Sequence, residues 1–405
     1  MSGPDNVDIV VIGAGAAGLT FAHRLATAGP AAPTVALVEP ADGDRRRPAP
    51  RTWCFWEPAG GPYDDLLTAS WDSAALCSTD GTLTRHALGR QRYKMLDSET
   101  FRRAVHRRLD RCPNFRHVAG VAGEVFDTPA HVLVPVDTGA ATRTLRARWV
   151  LDSRPRPPRP NARTALLQHF RGWFVTTDRP AFDPRVPLLM DFRVPQPAAG
   201  LAFGYILPLD ECRALVEYTV FSRLTWPEPA YDPALRGYLR DRIGTTGYRI
   251  DAVEHGVVPM TDATYPRRES PRHIRIGTSG GATRPSTGYS FAASRRQADA
   301  AARYLLDGKP PVPPRPHPRR HLALDAVLLR ALDQGRIGPD FFTTLFRANP
   351  AETVLRFLDG ASTARQELAI GLHSPLAPML RSCLDIALHR ARRRPAAPAH
   401  APEHR

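Results

Sequence analysis

Asp8-Ile9-Val10-Val11-Ile12-Gly13-Ala14-Gly15-Ala16-Ala17-Gly18 decides how this chain is read. An apolar run of strand length leads directly into GxGxxG, and the residues after Gly15 have a helical pattern to about Ala28. Gly13 permits the tight turn, Gly15 lets a pyrophosphate approach the backbone, and Gly18 lets helix pack on strand. The helix start offers N–H groups and the positive end of its dipole to phosphate. Val35 to Glu39 reads as a second strand, and an acid at its end can bind both ribose hydroxyls. The same acid would repel a 2′-phosphate, so NADP is disfavoured here. GxGxxG alone is weak, but strand, glycines, helix, strand and terminal acid in register predict a dinucleotide-binding βαβ unit.

Outward from this unit, Asp42 to Arg51 is Pro/Arg-rich and reads as a loop. Ser98 precedes Glu99 and opens a helix that carries Phe101, Ala104, Val105 and Leu109. Arg148 to Asp152 is a short strand, and Pro155 to Pro160 is a crossing into a second region. Strand-like runs from Gln168 to Phe221, including Phe203 to Leu207 and Ala214 to Phe221, predict an antiparallel sheet. Arg272 to Gly277 returns to a buried strand and Ser290 to Leu306 to a helix. Beyond Pro310 a proline-rich linker leads to an all-helical region, where Leu324, Leu328 and Leu332 share a face. Asn349, Pro350 and Glu352 read as N-cap, first-turn proline and capping-box partner, and Gly360 as a stop.

The 405 residues exceed one typical core and can bury a large ligand. A net charge of +15 suits an anionic membrane surface or nucleic acid. Nucleic acid is disfavoured, because the arginines are spread beside Ala and Pro without a zinc spacing or an RNA-binding aromatic motif. Five cysteines, odd in number and without CxxC, favour a reducing, cytoplasmic setting. The longest apolar run, Ile9 to Ala22, is too short and glycine-interrupted to span a bilayer. Membrane contact is therefore expected to be peripheral. No metal is expected, since the fourteen histidines show no spacing such as HExxH.

Two later segments favour FAD over NAD at the βαβ unit. Val150-Leu151-Asp152-Ser153-Arg154 resembles the strand-end Asp motif of two-dinucleotide flavoproteins. Ile276-Gly277-Thr278-Ser279-Gly280-Gly281 resembles their late flavin loop. Three more segments, Arg51-Thr52-Trp53-Cys54-Phe55-Trp56, Val216-Glu217-Tyr218-Thr219 and Pro285-Ser286-Thr287-Gly288-Tyr289, together resemble the lycopene cyclases. So do Leu-Phe-Arg at 345 to 347 and Arg-Phe-Leu at 356 to 358. Most flavin oxidoreductases carry Gly-Asp in the late loop; the Ser279-Gly280 found here is similar to the cyclase branch.

The resemblance implies redox-neutral closure of the linear ends of lycopene into β-rings, with FAD acting in its reduced form and NADPH as external reductant. A reduced, anionic flavin would stabilise a carbocation or pass a proton. The resemblance also implies a carotenoid substrate, contact with the inner face of a membrane and association with other carotenoid enzymes. Such chemistry protonates an alkene, a very poor base, so the acid must be held protonated and dry. Glu217 matches the family's mid-chain acid in Glu-x-Thr, and it is the only acid in the apolar run Ala214 to Phe221. Burial there would raise its pKa. Alternation on a half-buried strand would instead point it to solvent. Trp53, Phe55, Trp56 and Tyr289 are candidate neighbours for the cation, although core packing would equally account for any one of them. The cofactor set is Gly13, Gly15, Gly18, Glu39, Arg51, Asp152, Gly277, Gly280, Gly281, Thr287 and Gly288.

The expected architecture is an α/β, Rossmann-like two-dinucleotide-binding flavoprotein fold. Residues 1–60, 95–160 and 255–308 would bind FAD, while 61–94 and 161–254 would form an antiparallel-sheet substrate domain. Residues 309–390 would be a C-terminal helical region and 391–405 a disordered tail. A redox flavoenzyme of the same fold, such as a hydroxylase or isoprenoid reductase, is the second reading. A basic, non-catalytic membrane- or nucleic-acid-binding protein is the third.

Overall fold

The computed structural model describes residues 5–29, 32–156 and 161–392. Strand β1 (Asp5–Ile12) feeds helix α1 (Ala16–Ala26), and the chain returns through β2 (Val35–Glu39). Apart from Glu39 at the end of β2, both strands are apolar where they are buried, so they sit inside a parallel sheet with Ile12 beside Val38. β3 (Thr52–Pro58), β4 (Ala69–Trp71), β5 (Ser73–Cys77), β6 (Leu83–Ala87) and β7 (Gln91–Asp97) then lead into α2 (Ser98–Leu109). Asp97 caps α2, its carboxylate accepting from the Thr100 N–H at 2.7 Å, so the cap lies one residue ahead of Ser98.

β8 (Phe115–Ala119), β9 (Val121–Ala122), β10 (Phe126–Asp127), β11 (Val132–Asp137) and β12 (Thr142–Asp152) complete most of the first sheet. Its order is β10-β11-β12-β1-β2-β8, with β12, β1, β2 and β8 parallel. The expected crossing at Pro155 to Pro160 is irregular at 155–156; its last four residues lie outside the described residues.

β13 (Ala165–Thr177), β14 (Leu188–Asp191), β15 (Leu201–Pro208), β16 (Arg213–Ser222), the short α3 (Asp232–Tyr238) and β17 (Tyr248–Thr261) follow. The second sheet runs β17-β13-β16-β15-β14-β5-β6 and is antiparallel apart from the β14–β5 pair. The antiparallel sheet is as expected, although β17 crosses the boundary drawn at 254/255 and β7 the one at 94/95. β18 (Arg268–Ser270) and β19 (His273–Arg275) rejoin the first sheet, β19 pairing in parallel with β12. The strand expected from Arg272 to Gly277 is thus shorter, because the glycines turn at once into a single tight helical turn over Gly277–Gly280.

α4 (Phe291–Leu306) packs on α1, and α5 (Arg319–Asp333), α6 (Pro339–Ala348), α7 (Ala351–Leu358), α8 (Ala364–Leu372) and α9 (Leu376–Arg392) form the helical layer. Asn349 does not cap α7. It lies after α6 and donates its side-chain amide to the Leu345 carbonyl at 2.9 Å, leaving Pro350 at the start of α7. Glu352 forms no capping box; its carboxylate accepts from the Arg90 N–H instead. The capping box lies at Thr363 and Gln366, opening α8. α9 carries helix through Arg392, into the tail expected to be disordered; residues 393–405 lie outside the described residues.

Candidate functional site

The βαβ turn has the shape a dinucleotide needs. Gly13 takes φ +94°, its N–H donates to the Val38 carbonyl, and the Ser153 hydroxyl fills the space where its Cβ would stand. A Cβ on Gly18 would collide with the Gly13 carbonyl oxygen, which is the close helix-on-strand approach expected of the third glycine. A Cβ on Gly15 would meet nothing within 4 Å, and no side chain caps α1. The start of α1 therefore faces open space with its dipole.

Glu39, 4% exposed, ends β2 beside this space. Its carboxylate contacts His106 Nε2 at 2.8 Å and His117 Nε2 at 2.9 Å, with Arg47 at 3.5 Å and Arg102 at 3.8 Å. Burial alone would raise its pKa, but the two imidazoles hold it down to about 2. An ionised acid here suits ribose hydroxyls. Glu39, His106 and His117 also bring three ligand-type atoms within 4.8 Å of one another, which sequence spacing could not reveal. The two guanidinium groups beside the carboxylate oppose a cation at that point.

Asp152 ends β12 next to Ile12, fully buried. Arg154, Arg275 and His273 surround its carboxylate at 2.8, 2.9 and 3.1 Å and hold its pKa well below the usual range against the effect of burial. That side chain is committed to an ion cluster on the wall of a cavity of about 550 Å³ lined by Arg154, Arg156, Glu269 and Arg275. The late loop lies against the start of α1: a Cβ on Gly277, at φ +66°, would stand 3.0 Å from the Ala17 Cβ. Gln297 of α4 pins the loop, accepting from the Gly277 N–H at 2.8 Å and donating to the Gly280 carbonyl at 3.0 Å. Gly281 and Gly288 also have positive φ. Gln168 Oε1 occupies the place of a Gly288 Cβ, and that oxygen and the Thr287 hydroxyl are buried without a hydrogen-bond partner among the described residues. Open space at Gly15, the uncapped helix and these orphaned oxygens fit a bound flavin nucleotide.

A second cluster lies on the antiparallel sheet. β16 is buried on both faces, so alternation does not send Glu217 to solvent. Val216, Tyr218 and Val220 point into one core, while Leu215, Glu217, Thr219 and Phe221 point the other way. Glu217 stands opposite Tyr205 of β15 and Gly172 of β13, and Gly172 in turn stands opposite Glu254 of β17. A Cβ on Gly172 would come within 2.8 Å of the Glu217 Cγ, so the glutamate leans into the notch that the glycine leaves. Burial pushes the Glu217 carboxyl far above its ordinary value and the Glu254 charge adds to this, while the Thr219 hydroxyl opposes. The Glu-x-Thr spacing places that hydroxyl and the carboxyl on one side of the strand.

Aromatic rings and hydroxyls surround this face. Tyr93 and Tyr205 share a hydrogen bond at 2.6 Å, Tyr93 and Tyr289 another at 3.1 Å, and Trp56 meets Tyr289 edge-on at 4.5 Å. Burial pushes the Cys54 thiol up to about 12, with Tyr205 and Glu217 among its electrostatic neighbours. The structure thus brings Trp56 and Tyr289 together with the Glu217 face. It does not bring Trp53 and Phe55 there. Alternation along β3 turns those two into the nucleotide-side core, stacked on Phe291 at 5.3 and 4.5 Å. Arg51 is exposed, its guanidinium donating to the His255 carbonyl at 3.0 Å.

Glu254, Tyr93, Tyr205 and Cys54 were not singled out from sequence. For Cys54 a signal existed, since period two along β3 pairs it with Trp56. Glu254 is 7% exposed and accepts from the Thr52 N–H at 2.9 Å, a contact across 202 positions of chain that no local pattern foretells.

The model of the family described as lycopene cyclase protein matches residues 8–384. Comparison with curated protein sequences finds no match to this chain. Among solved structures, a geranylgeranyl bacteriochlorophyll reductase-like protein from Thermoplasma acidophilum superposes with a TM-score of 0.66 at 12% identity, over 95% of this chain and 100% of that one. The flavin-dependent brominase Bmp2 gives 0.58 at 14% identity, over 95% and 100%. The p-nitrophenol 4-monooxygenase PnpA from Pseudomonas putida DLL-E4 gives 0.56 at 16%, over 94% and 98%. At such identities the likeness is one of fold: the α/β flavoprotein fold of hydroxylases and reductases, with its antiparallel sheet and C-terminal helices.

Proposed function

The chain belongs to the lycopene cyclase protein family, and we propose that it closes the linear ends of lycopene into β-rings by acid catalysis without net redox change. The observation that carries this reading is Glu217: a carboxyl whose pKa burial raises well above its ordinary value, on a sheet face lined by Trp56, Tyr93, Tyr205 and Tyr289. Protonating an alkene needs such an acid; reduction of an alkene would need one too, so the mass of the product separates the two chemistries.

In this reading the Glu217 carboxyl delivers a proton to C2 of the polyene end, leaving a cation at C1. The C5–C6 double bond attacks that cation, and C6 then loses a proton. Trp56 and Tyr289 offer electron-rich ring faces to the cation, worth about 0.5 to 2 kcal/mol each and more when water is excluded. Glu254 disfavours the ionised form of Glu217 and fixes the backbone of β3 through Thr52. Gly13, Gly15, Gly18, Glu39 and the loop of Gly277, Gly280 and Gly281 would hold FAD, with Thr287 and Gly288 at its substrate side. Reduced FAD would supply negative charge near the cation, with NADPH as its external reductant. Lycopene dissolves in lipid, so the enzyme would meet it at a membrane surface. Among the described residues no helix is long and apolar enough to cross one.

Expression in a lycopene-making host, followed by pigment chromatography and mass spectrometry, tests the reading. Ring-bearing products isomeric with lycopene are expected. A product heavier by two hydrogens or one oxygen would establish a redox flavoenzyme instead.

A further inference from the structure

The last two helices carry an apolar stripe that the fold leaves uncovered. A surface helix normally turns its apolar stripe to the core. Here Leu368 and Leu372 of α8, and Leu376, Leu380, Leu384 and Leu388 of α9, are 59 to 71% exposed. They recur every four residues and so fall along neighbouring positions on each helix surface. The inward side of α9 is mixed: Met379 packs on the apolar core, while Ser382 and Asp385 are held by arginines. Arg336 donates to the Ser382 hydroxyl at 3.0 Å and pairs with Asp385 at 2.6 Å, and Arg330 approaches Asp385 at 3.6 Å. In α8 Glu367 is engaged by Arg320 at 3.2 Å and His321 at 3.0 Å.

The charge on these helices is segregated as a result. Glu367 and Asp385 are the acids between positions 364 and 388, and both are spent on arginines and a histidine of the helical layer. Arg365 and Arg381 stay exposed beside the leucines. The sequence continues as His389-Arg390-Ala391-Arg392-Arg393-Arg394.

We propose that the leucine face of α8 and α9 docks on an anionic lipid surface. Leucines flanked by arginines match such a surface in both of its terms, the acyl boundary and the negative headgroups. A second copy of the chain would cover the leucines, but its own α8 and α9 offer no unengaged acid between positions 364 and 388 to answer Arg365 and Arg381. The net charge of +15 has the sign that an anionic surface requires. Ile370 and Met379, on the inner side of the same helices, belong to the apolar cluster that contains Trp56, Tyr93 and Tyr205. The docked face would therefore back onto the core that includes the acid site. The choice of lipid rests in part on the cyclase reading, since that substrate partitions into membranes.

The test is flotation of the flavin-loaded protein with vesicles of phosphatidylcholine mixed with phosphatidylglycerol, and with vesicles of phosphatidylcholine alone. Wild type should float with the anionic vesicles, and salt should weaken the binding. The triple variant Leu376→Ser, Leu380→Ser, Leu384→Ser should bind at least ~10-fold less, with an unfolding midpoint no lower than wild type. Arg365→Gln with Arg381→Gln should lower binding and flatten its salt dependence. A leucine variant that floats like wild type overturns the proposal. So does a wild-type dimer, seen by light scattering, that the leucine changes dissociate while vesicle binding is nil. Cyclisation of detergent-dispersed lycopene separates the two readings. Activity without flotation sinks the docking face alone, and flotation without cyclisation supports the docking face while sinking the cyclase.

Discussion

Glu217 and Glu254 stand in register on either side of Gly172, on the two strands that flank β13 and on one face of the sheet. Two strand spacings separate their backbones, about 9 to 10 Å. Each is buried, and burial raises the pKa of both. The arrangement therefore favours the protonated form of Glu217, the more deeply perturbed of the two.

Removing that proton donor should stop the reaction without disturbing the protein. Glu217→Gln keeps shape and hydrogen bonding, and cyclisation should fall by the ~10² to 10⁴ typical of a lost general acid. Flavin content should be unchanged. Wild-type product formed in D2O should carry deuterium at C2 of the ring. Near-normal turnover in the variant would move the donor elsewhere.

The same substitution should stabilise the fold as pH rises. Unfolded, Glu217 releases its proton near its ordinary value of 4.5, whereas the folded chain retains it to far higher pH. Through that window the native state binds the extra proton, so stability falls with rising pH by about 1.4 kcal/mol per unit from this group. The variant lacks that slope. Its melting temperature should gain on wild type steadily as the pH rises above the ordinary value of 4.5; a gap that stays constant would mean Glu217 is ionised in the native state.

Gly172→Ala tests the notch. The added methyl would meet the Glu217 Cγ at 2.8 Å and the Leu215 Cδ1 at 3.0 Å. Overpacking of this kind costs about 1 to 3 kcal/mol, and here it displaces the acid. Activity should drop by at least ~10-fold, as misplacement of a reacting group does, with flavin retained. Unchanged kcat would show that the lean of Glu217 over the glycine is immaterial.

Gly15→Val separates folding from nucleotide binding. Nothing stands within 4 Å of the new Cβ, so the apoprotein should fold and melt as wild type does. The side chain would occupy the pyrophosphate approach, so the purified protein should be colourless. Stoichiometric flavin in this variant would overturn the assignment of the first loop.

Arg284 and Asp325 form an ion pair at 3.0 Å in which both side chains are at most 2% exposed, with Ser286 donating to the same carboxylate at 2.7 Å. The pair ties the turn before Tyr289 to α5. Asp325→Asn leaves a buried guanidinium uncompensated and should cost about 3 to 5 kcal/mol by denaturant melting. A loss under about 1 kcal/mol would show the arginine reaching water.

What was legible in the sequence was local. Gly13 to Gly18 and Glu39 declare themselves because strand, turn and helix follow one another within a single βαβ unit. Glu217 was legible as a residue but not as a position, since a strand buried on one side and a strand buried on both look alike over ten residues. Trp53 and Phe55 fell away from the acid because β3 serves two cores, a fact that depends on Phe291 far along the chain. Glu254 became visible only when β17 paired with β13. The outward leucines of α9 went unremarked because periodicity gives a stripe and not the side of the helix on which the protein lies.

β3 has a thermodynamic consequence. Its odd side chains, Trp53 and Phe55, are packed among the nucleotide-side residues, and its even ones, Cys54 and Trp56, among those around the acid. A strand shared in this way is a lever with an arm in each compartment. If cofactor binding shifts or stiffens it and so changes polyene affinity by some factor, the polyene must change cofactor affinity by that same factor. Titrating flavin with and without lycopene would read the coupling from either side. The enzyme would then hold its cofactor most firmly, or release it most readily, during the interval when a substrate is aboard.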